Sequence, residues 1–251
     1  MSGGLDQVVF VAFTVFCRVG TAMMLIPGFG SARVPAPIRL MMALACGLAL
    51  MPLLYAPVET QLLAFGSTQR PYLLVHEVVM GLSLGLMARL FLLGLQFAAT
   101  TAANAIGLAG VPGQPVDEME ALPPLTNFVS LAGVMVLFAS DVPQAMLRAV
   151  AQSYTALPMR LGLDAAWVLN NFLAVLADTS LLGLRLAGPF VVYALVVNIA
   201  MGLANKFTPQ IQMYFASLGL VTLGGLVLLF IAARPLLSIF SDALASWIAA
   251  L

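Results

Sequence analysis

The chain has 251 residues, of which 62% are hydrophobic and 8% charged, with ten basic and ten acidic side chains and no net charge. A soluble domain carries about 25% charge, so there is too little polar surface here to cover a water-soluble fold, and the chain reads as an integral membrane or membrane-complex protein. Balanced charge without a polybasic run leaves no electrostatic footprint for nucleic acid; membrane lipid is the expected surrounding.

A spanning helix needs about 20 mostly apolar residues. Residues 8–26 form the first such run, with Arg18 near its centre. No basic n-region or small-residue cleavage site precedes it, so the run is expected to be retained rather than cleaved. "PGFGSARVPAPIR", residues 27–39, breaks the pattern with three prolines and two arginines. Residues 38–54 are the second run, followed by a polar link over 56–71. The third, 72–103, would be about 48 Å long if wholly helical; it overshoots a bilayer and contains His76, Glu77 and Arg89.

"GLAGVPGQPVDEMEALPPL", residues 107–125, then gathers three glycines, four prolines and the carboxylates Asp117, Glu118 and Glu120. Such a stretch resists helix formation. At membrane depth it is tolerated only inside protein or beside a water-filled cavity; read from the residues alone, a plain solvent loop between two helices is the favoured account. Apolar runs follow at 125–139, 144–156, 165–177, 181–204, 213–233 and 236–251. They are separated by "SDVP" at 140–143, "LPMRLGLD" at 157–164, Asp178 and "NKFTPQ" at 205–210, and the last has Ser241 and Asp242 on its polar side. The alternating ten-residue pattern of a membrane barrel is absent, so the predicted class is all-α.

Arg18, Glu77, Arg89, Asp141, Asp178 and Arg185 lie within or beside apolar runs. A charge facing lipid is costly, so they imply an ion pathway, pairs between helices or subunits, or segments outside the bilayer. Gly81 and Gly85 have the spacing that lets helices approach closely. Catalytic constellations are missing. His76 is the sole histidine, "HEVVM" has no second histidine four residues on, no nucleotide-binding glycine loop is present, and neither a Ser/His/Asp set nor a nucleophile elbow stands out. Cys17 and Cys46 lie in apolar runs and read as small hydrophobes. No enzyme, metal or cofactor is predicted.

Several stretches carry a family resemblance. "FTVFCRVGTAMMLIPGFGSARVPAPIRLMMALACGLALMPLL" has an aromatic-x-x-Arg, a greasy run ending in proline, a short V-P loop, an arginine and a second greasy run ending in proline. Arg18, Pro27, Val34, Pro35, Arg39 and Pro52 carry it. "HEVVMGLSLGLMARLFLLGLQFAATTAANAIGL" contains Glu77, Gly81 and Gly85 as Glu-x-x-x-Gly-x-x-x-Gly. "SYTALP", residues 153–158, is a Ser-Tyr…Pro turn, and "NIAMGLANKFTPQIQMYF" includes Pro209 and Gln210. Together they resemble the FliR/SctT family, the export-gate subunits of flagellar and injectisome type III secretion systems. Lys206, Gln212 and Tyr214 depart from the family's usual arginine, asparagine and phenylalanine.

The resemblance implies one copy of this chain forming a protein-conducting channel with FliP and FliQ homologues, near FlhA and FlhB homologues, through which unfolded substrates pass. It places the chain in the bacterial inner membrane at the flagellar basal body, partly raised above the bilayer. Residues 1–178 would be FliP-like and 179–251 a FliQ-like hairpin with a C-terminal tail. Gly107, Leu108, Gly110, Val111, Pro112, Gly113, Pro115, Val116, Asp117, Glu118, Met119, Glu120 and Leu122 would belong to a plug loop sealing the resting pore. Arg18, Glu77 and Arg185 would pair between subunits, and Pro27, Pro35, Arg39, Pro209 and Gln210 would shape family turns. Injectisome use is the near alternative, although the short C-terminal segment favours the flagellar one. A secondary transporter is the alternative from another class; it should show inverted repeats, and no convincing repeat is present.

Overall fold

The computed structural model describes residues 2–31, 34–108, 122–159, 164–207 and 213–251. Among them are seven α-helices: α1 Ser2–Leu25, α2 Ala36–Leu63, α3 Arg70–Ala105, α4 Pro124–Ala139, α5 Val142–Ala156, α6 Ala165–Phe207 and α7 Met213–Ala249. A single 3₁₀ turn, Ser67–Gln69, precedes α3. The described residues are all-α, as predicted. Five helices are long and apolar enough to cross a membrane, or six spans if α4 and α5, bent by 72° about residues 140–141, count as one.

Helix starts follow proline chemistry. Pro35 precedes α2 and Asp141 precedes α5 without a side-chain capping bond, and each helix has a proline in its first two positions, where the missing N–H would have had no partner in any case. Helix interiors depart from expectation. α2 continues through Pro52 and Pro57 to Leu63, past the predicted end at 54. α6 runs unbroken across Asp178 and through Pro189, so the boundary expected at 178/179 lies inside one helix. α7 absorbs Pro235 and fuses two predicted segments. In apolar surroundings a broken helix exposes several unsatisfied backbone groups, whereas an interior proline removes one hydrogen bond. The longer helix is the less costly solution.

The chain divides into two compact units. The first comprises Met1–Leu90, Leu137–Leu176 and Leu244–Leu251; the second comprises Phe91–Val136 and Ala177–Ala243. The first packs around Val11, Val15, Val19, Leu73, Met87 and Tyr154, all fully buried. Its turn after α1 uses Gly28 at φ +91°, where any side chain would strike the Phe138 ring. The second packs around Leu95, Ala99, Ile106, Phe190 and Phe240. There the backbones of α3 and α6 nearly touch: a methyl group on Gly94 would lie 2.8 Å from the Thr179 carbonyl oxygen.

Large apolar side chains remain uncovered on α2 (Met41, Leu48, Leu53), on α6 (Leu195, Val196, Ile199) and on α7 (Leu220, Phe230, Ile231). Surfaces this greasy require lipid or other subunits against them.

Candidate functional site

Three sequence motifs far apart in the chain converge in the first unit. Arg18 on α1 and Glu77 on α3 are both 0% exposed and form a two-pronged ion pair. Arg18 Nε donates to Glu77 Oε2 at 2.8 Å and Nη2 to Glu77 Oε1 at 2.7 Å. The remaining guanidinium donors reach the end of α5. Nη1 donates to the Ser153 carbonyl at 2.9 Å and to Ser153 Oγ at 3.1 Å, and Nη2 to the Leu157 carbonyl at 3.1 Å. Each of the five guanidinium N–H groups thus has an acceptor within the chain. The Tyr154 ring stacks on the cation with its centroid 4.1 Å from Arg18 Cζ.

Helix termini leave carbonyls without intrahelical donors and carry partial negative charge, so a cation at the α5 C-terminus is doubly favourable. α2 completes the arrangement: Gln61 Nε2 donates to the Tyr154 carbonyl at 3.2 Å, and Gln61 Oε1 accepts from the Met159 N–H at 2.9 Å. His76 Nδ1 lies 3.3 Å from Glu77 Oε1. Gln61 lies in the predicted polar link, where nothing local marks it, and only the α5 geometry reveals its role.

The pairing expected between subunits for Arg18 and Glu77 is instead satisfied inside the chain. A buried guanidinium with every donor engaged has none to offer a neighbour. The third residue of that set, Arg185, is exposed on α6, as are Asp178 on the same helix and Arg89 on α3.

Gly81 and Gly85, one and two turns beyond Glu77, explain how the pair comes within reach. A methyl on Gly81 would collide with Thr21 Oγ1 and the Arg18 carbonyl oxygen, and one on Gly85 would lie 2.7 Å from the Ala22 carbonyl oxygen. The α1 and α3 backbones therefore meet as small-residue spacing allows. Thr21 Oγ1, donating to the Cys17 carbonyl at 2.6 Å, occupies the space that a side chain at 81 would need.

The second feature lies where α3 ends. The Leu108 N–H bonds the Ala103 carbonyl at 2.8 Å and the Gly107 N–H bonds the Asn104 carbonyl at 3.3 Å. With Gly107 at φ +76°, this is a Schellman termination, in which glycine takes the left-handed position without steric penalty. Beside it is a cleft of about 160 Å³ lined by Asn104, Ala105, Gly107, Ala194, Val197, Asn198, Leu218 and Val221.

Of the expected plug residues, Gly107, Leu108 and Leu122 are described, and both leucines are exposed. Gly110, Val111, Pro112, Gly113, Pro115, Val116, Asp117, Glu118, Met119 and Glu120 lie outside the described residues, as do Pro209 and Gln210. The chain returns at α4, where Asn127 Nδ2 donates to the Leu122 carbonyl at 3.1 Å. Pro27 is buried in the turn after α1, and Arg39 is half-buried in the first turn of α2. Among the described residues no three His, Cys, Asp or Glu side chains are grouped to hold a metal ion.

A family model described as bacterial export proteins, family 1, matches residues 9–247. The flagellar biosynthetic protein FliR of Caulobacter vibrioides is 30% identical over 237 residues, covering 93% of this chain and 92% of the relative. FliR of Aquifex aeolicus is 26% identical, covering 89% and 85%, and FliR of Pectobacterium carotovorum 23% identical, covering 84% and 82%. With a match across nearly its whole length to that family, and helices of the length and apolarity a membrane requires, the chain belongs to family 1 of the bacterial export proteins, the family of the flagellar FliR proteins.

Proposed function

We propose that the chain is a non-enzymatic core subunit of the flagellar type III protein-export channel in the bacterial inner membrane. One copy assembles there with FliP and FliQ homologues, beside FlhA and FlhB homologues, to conduct unfolded substrates at the basal body. The observation that carries this reading is the uncovered face of α6. Asp178 and Arg185 are both exposed on it, seven residues apart, the two charges of the helix ahead of Lys206 in its last turn. That spacing is nearly two full turns, so both lie on one side. Each would cost about 2.5–3.5 kcal/mol against lipid at mid-depth, and a neighbouring subunit that answers both charges removes the cost. Inter-subunit pairing thus rests on Arg185, with Asp178 as its companion, while Arg18 and Glu77 hold the fold.

The proposed FliQ-like hairpin draws support from ties between α6 and α7. Tyr193 Oη donates to the Val221 carbonyl and Ser217 Oγ to Met201 Sδ. In the proposed plug, residues 107–122 seal the resting pore with Leu108, Val111, Val116, Met119 and Leu122, and the three carboxylates meet water or neighbouring subunits. Deleting residues 111–120 is expected to raise inner-membrane conductance to small ions in intact cells. Conductance at the wild-type level would rule the plug out.

A further inference from the structure

On the reading that this chain belongs to a protein-export channel, we propose that the cleft at the end of α3 is a main-chain binding site for the exported polypeptide. Asn104 and Asn198 would hold a short extended stretch of the chain in transit by its peptide groups. The two asparagines belong to different helices, α3 and α6, yet line the same cleft, which also contains the backbone of Gly107. Neither side-chain amide has a hydrogen-bond partner among the described residues. Both residues are exposed, so in a chain with so few polar groups they give this cleft two amides open to a ligand.

The chemistry of the lining selects the ligand. Among the described residues no charged side chain borders the cleft, so these walls offer no counter-charge to a phosphate, a carboxylate or a metal ion. An asparagine amide offers two donors and a carbonyl acceptor. A peptide unit presents one donor and one acceptor, so each amide can answer one in full. The remaining walls, Ala105, Ala194, Val197, Leu218 and Val221, are aliphatic and suit any apolar or small side chain. A volume of about 160 Å³ resembles the roughly 150 Å³ that accepts a benzene-sized guest. This is room for a residue or so of chain and too little for a folded element or a cofactor.

Recognition through peptide groups is independent of sequence, as export of many different proteins requires. Net hydrogen bonds of this kind are individually weak, so the chain is held and released rather than trapped. The cleft opens beside the residue at which the chain leaves α3 toward the proposed plug.

The test uses the complete export apparatus in living cells, with an exported protein fused to a tightly folded domain that stalls it in transit. A photo-crosslinking amino acid is placed at Val197, at Leu195 as an off-cleft control about 200° around α6, and at Val116 in the proposed plug. Crosslinking of the stalled chain from Val197 but not Leu195, falling about tenfold when Asn104→Leu and Asn198→Leu are combined, is the expected result. The Val197 crosslink in the otherwise native chain decides the matter even if the double variant fails to assemble. Capture of the stalled chain at Val116 with only lipid or a neighbouring subunit at Val197 would overturn the cleft and leave the channel standing. No capture at any position would overturn both.

Discussion

Replacing Glu77 with alanine is expected to destabilise the chain by about 3–5 kcal/mol, the cost of leaving a buried charge without its partner. Arg18 would keep Ser153 and Leu157 as acceptors but lose both carboxylate oxygens, and no solvent reaches a guanidinium that is 0% exposed. The readout is accumulation of folded chain in the membrane, together with its unfolding temperature after gentle extraction in detergent. The double variant Arg18→Met, Glu77→Met separates charge from packing. Substituting both members of a buried pair by apolar residues of similar volume is often close to neutral, so it should recover much of what Glu77→Ala loses. Wild-type accumulation of Glu77→Ala would show that the pair does not hold α1, α3 and the end of α5 together.

Gly81→Val is the second large effect. Its Cβ would run into the Arg18 carbonyl and Thr21 Oγ1, and the carbonyl, being helix backbone, cannot move aside without shifting α1. Overpacking of this kind costs about 1–3 kcal/mol in well-packed cores. Here it also pushes α1 off α3 at the level where Arg18 must reach Glu77, so the variant should sit at or above the upper end of that range. Gly202→Ala is the matched control: nothing lies within 4 Å of a methyl there, and alanine is favoured over glycine inside a helix by about 1 kcal/mol. Unfolding temperatures should therefore fall for Gly81→Val and hold or rise for Gly202→Ala. Equal behaviour of the two would mean that the close approach of α1 and α3 contributes nothing.

Much of the helical skeleton can be read from the sequence because apolar runs and breakers are local signals. The runs at 8–26 and 72–103 and the kink at 140–143 correspond to α1, α3 and the bend between α4 and α5. The breaks predicted near the prolines of α2 and α7 and at Asp178 in α6 are not made, because apolar surroundings penalise every broken turn. Arg18 and Glu77 stand out in the sequence as charges in greasy runs. Their partnership does not, since 59 residues separate them and the Ser153 acceptor is 135 residues from Arg18. No spacing rule spans such distances; the glycines at 81 and 85 were the one local hint that α3 meets another helix closely. Asn104 and Asn198 are unremarkable along the chain and acquire meaning only when α3 and α6 bring them to one cleft.

The central claim is that this chain works as one subunit among others, its greasy α2, α6 and α7 faces covered by protein as well as lipid. Native mass spectrometry of the tagged chain, extracted gently from the membranes of its own host, tests this most directly. The predicted result is a complex containing one copy of this chain with several copies of two other hydrophobic proteins, weakened when Asp178 and Arg185 are both replaced by leucine. A stable lone monomer, or a homo-oligomer carrying a small solute, would contradict the account and put a self-contained transporter in its place.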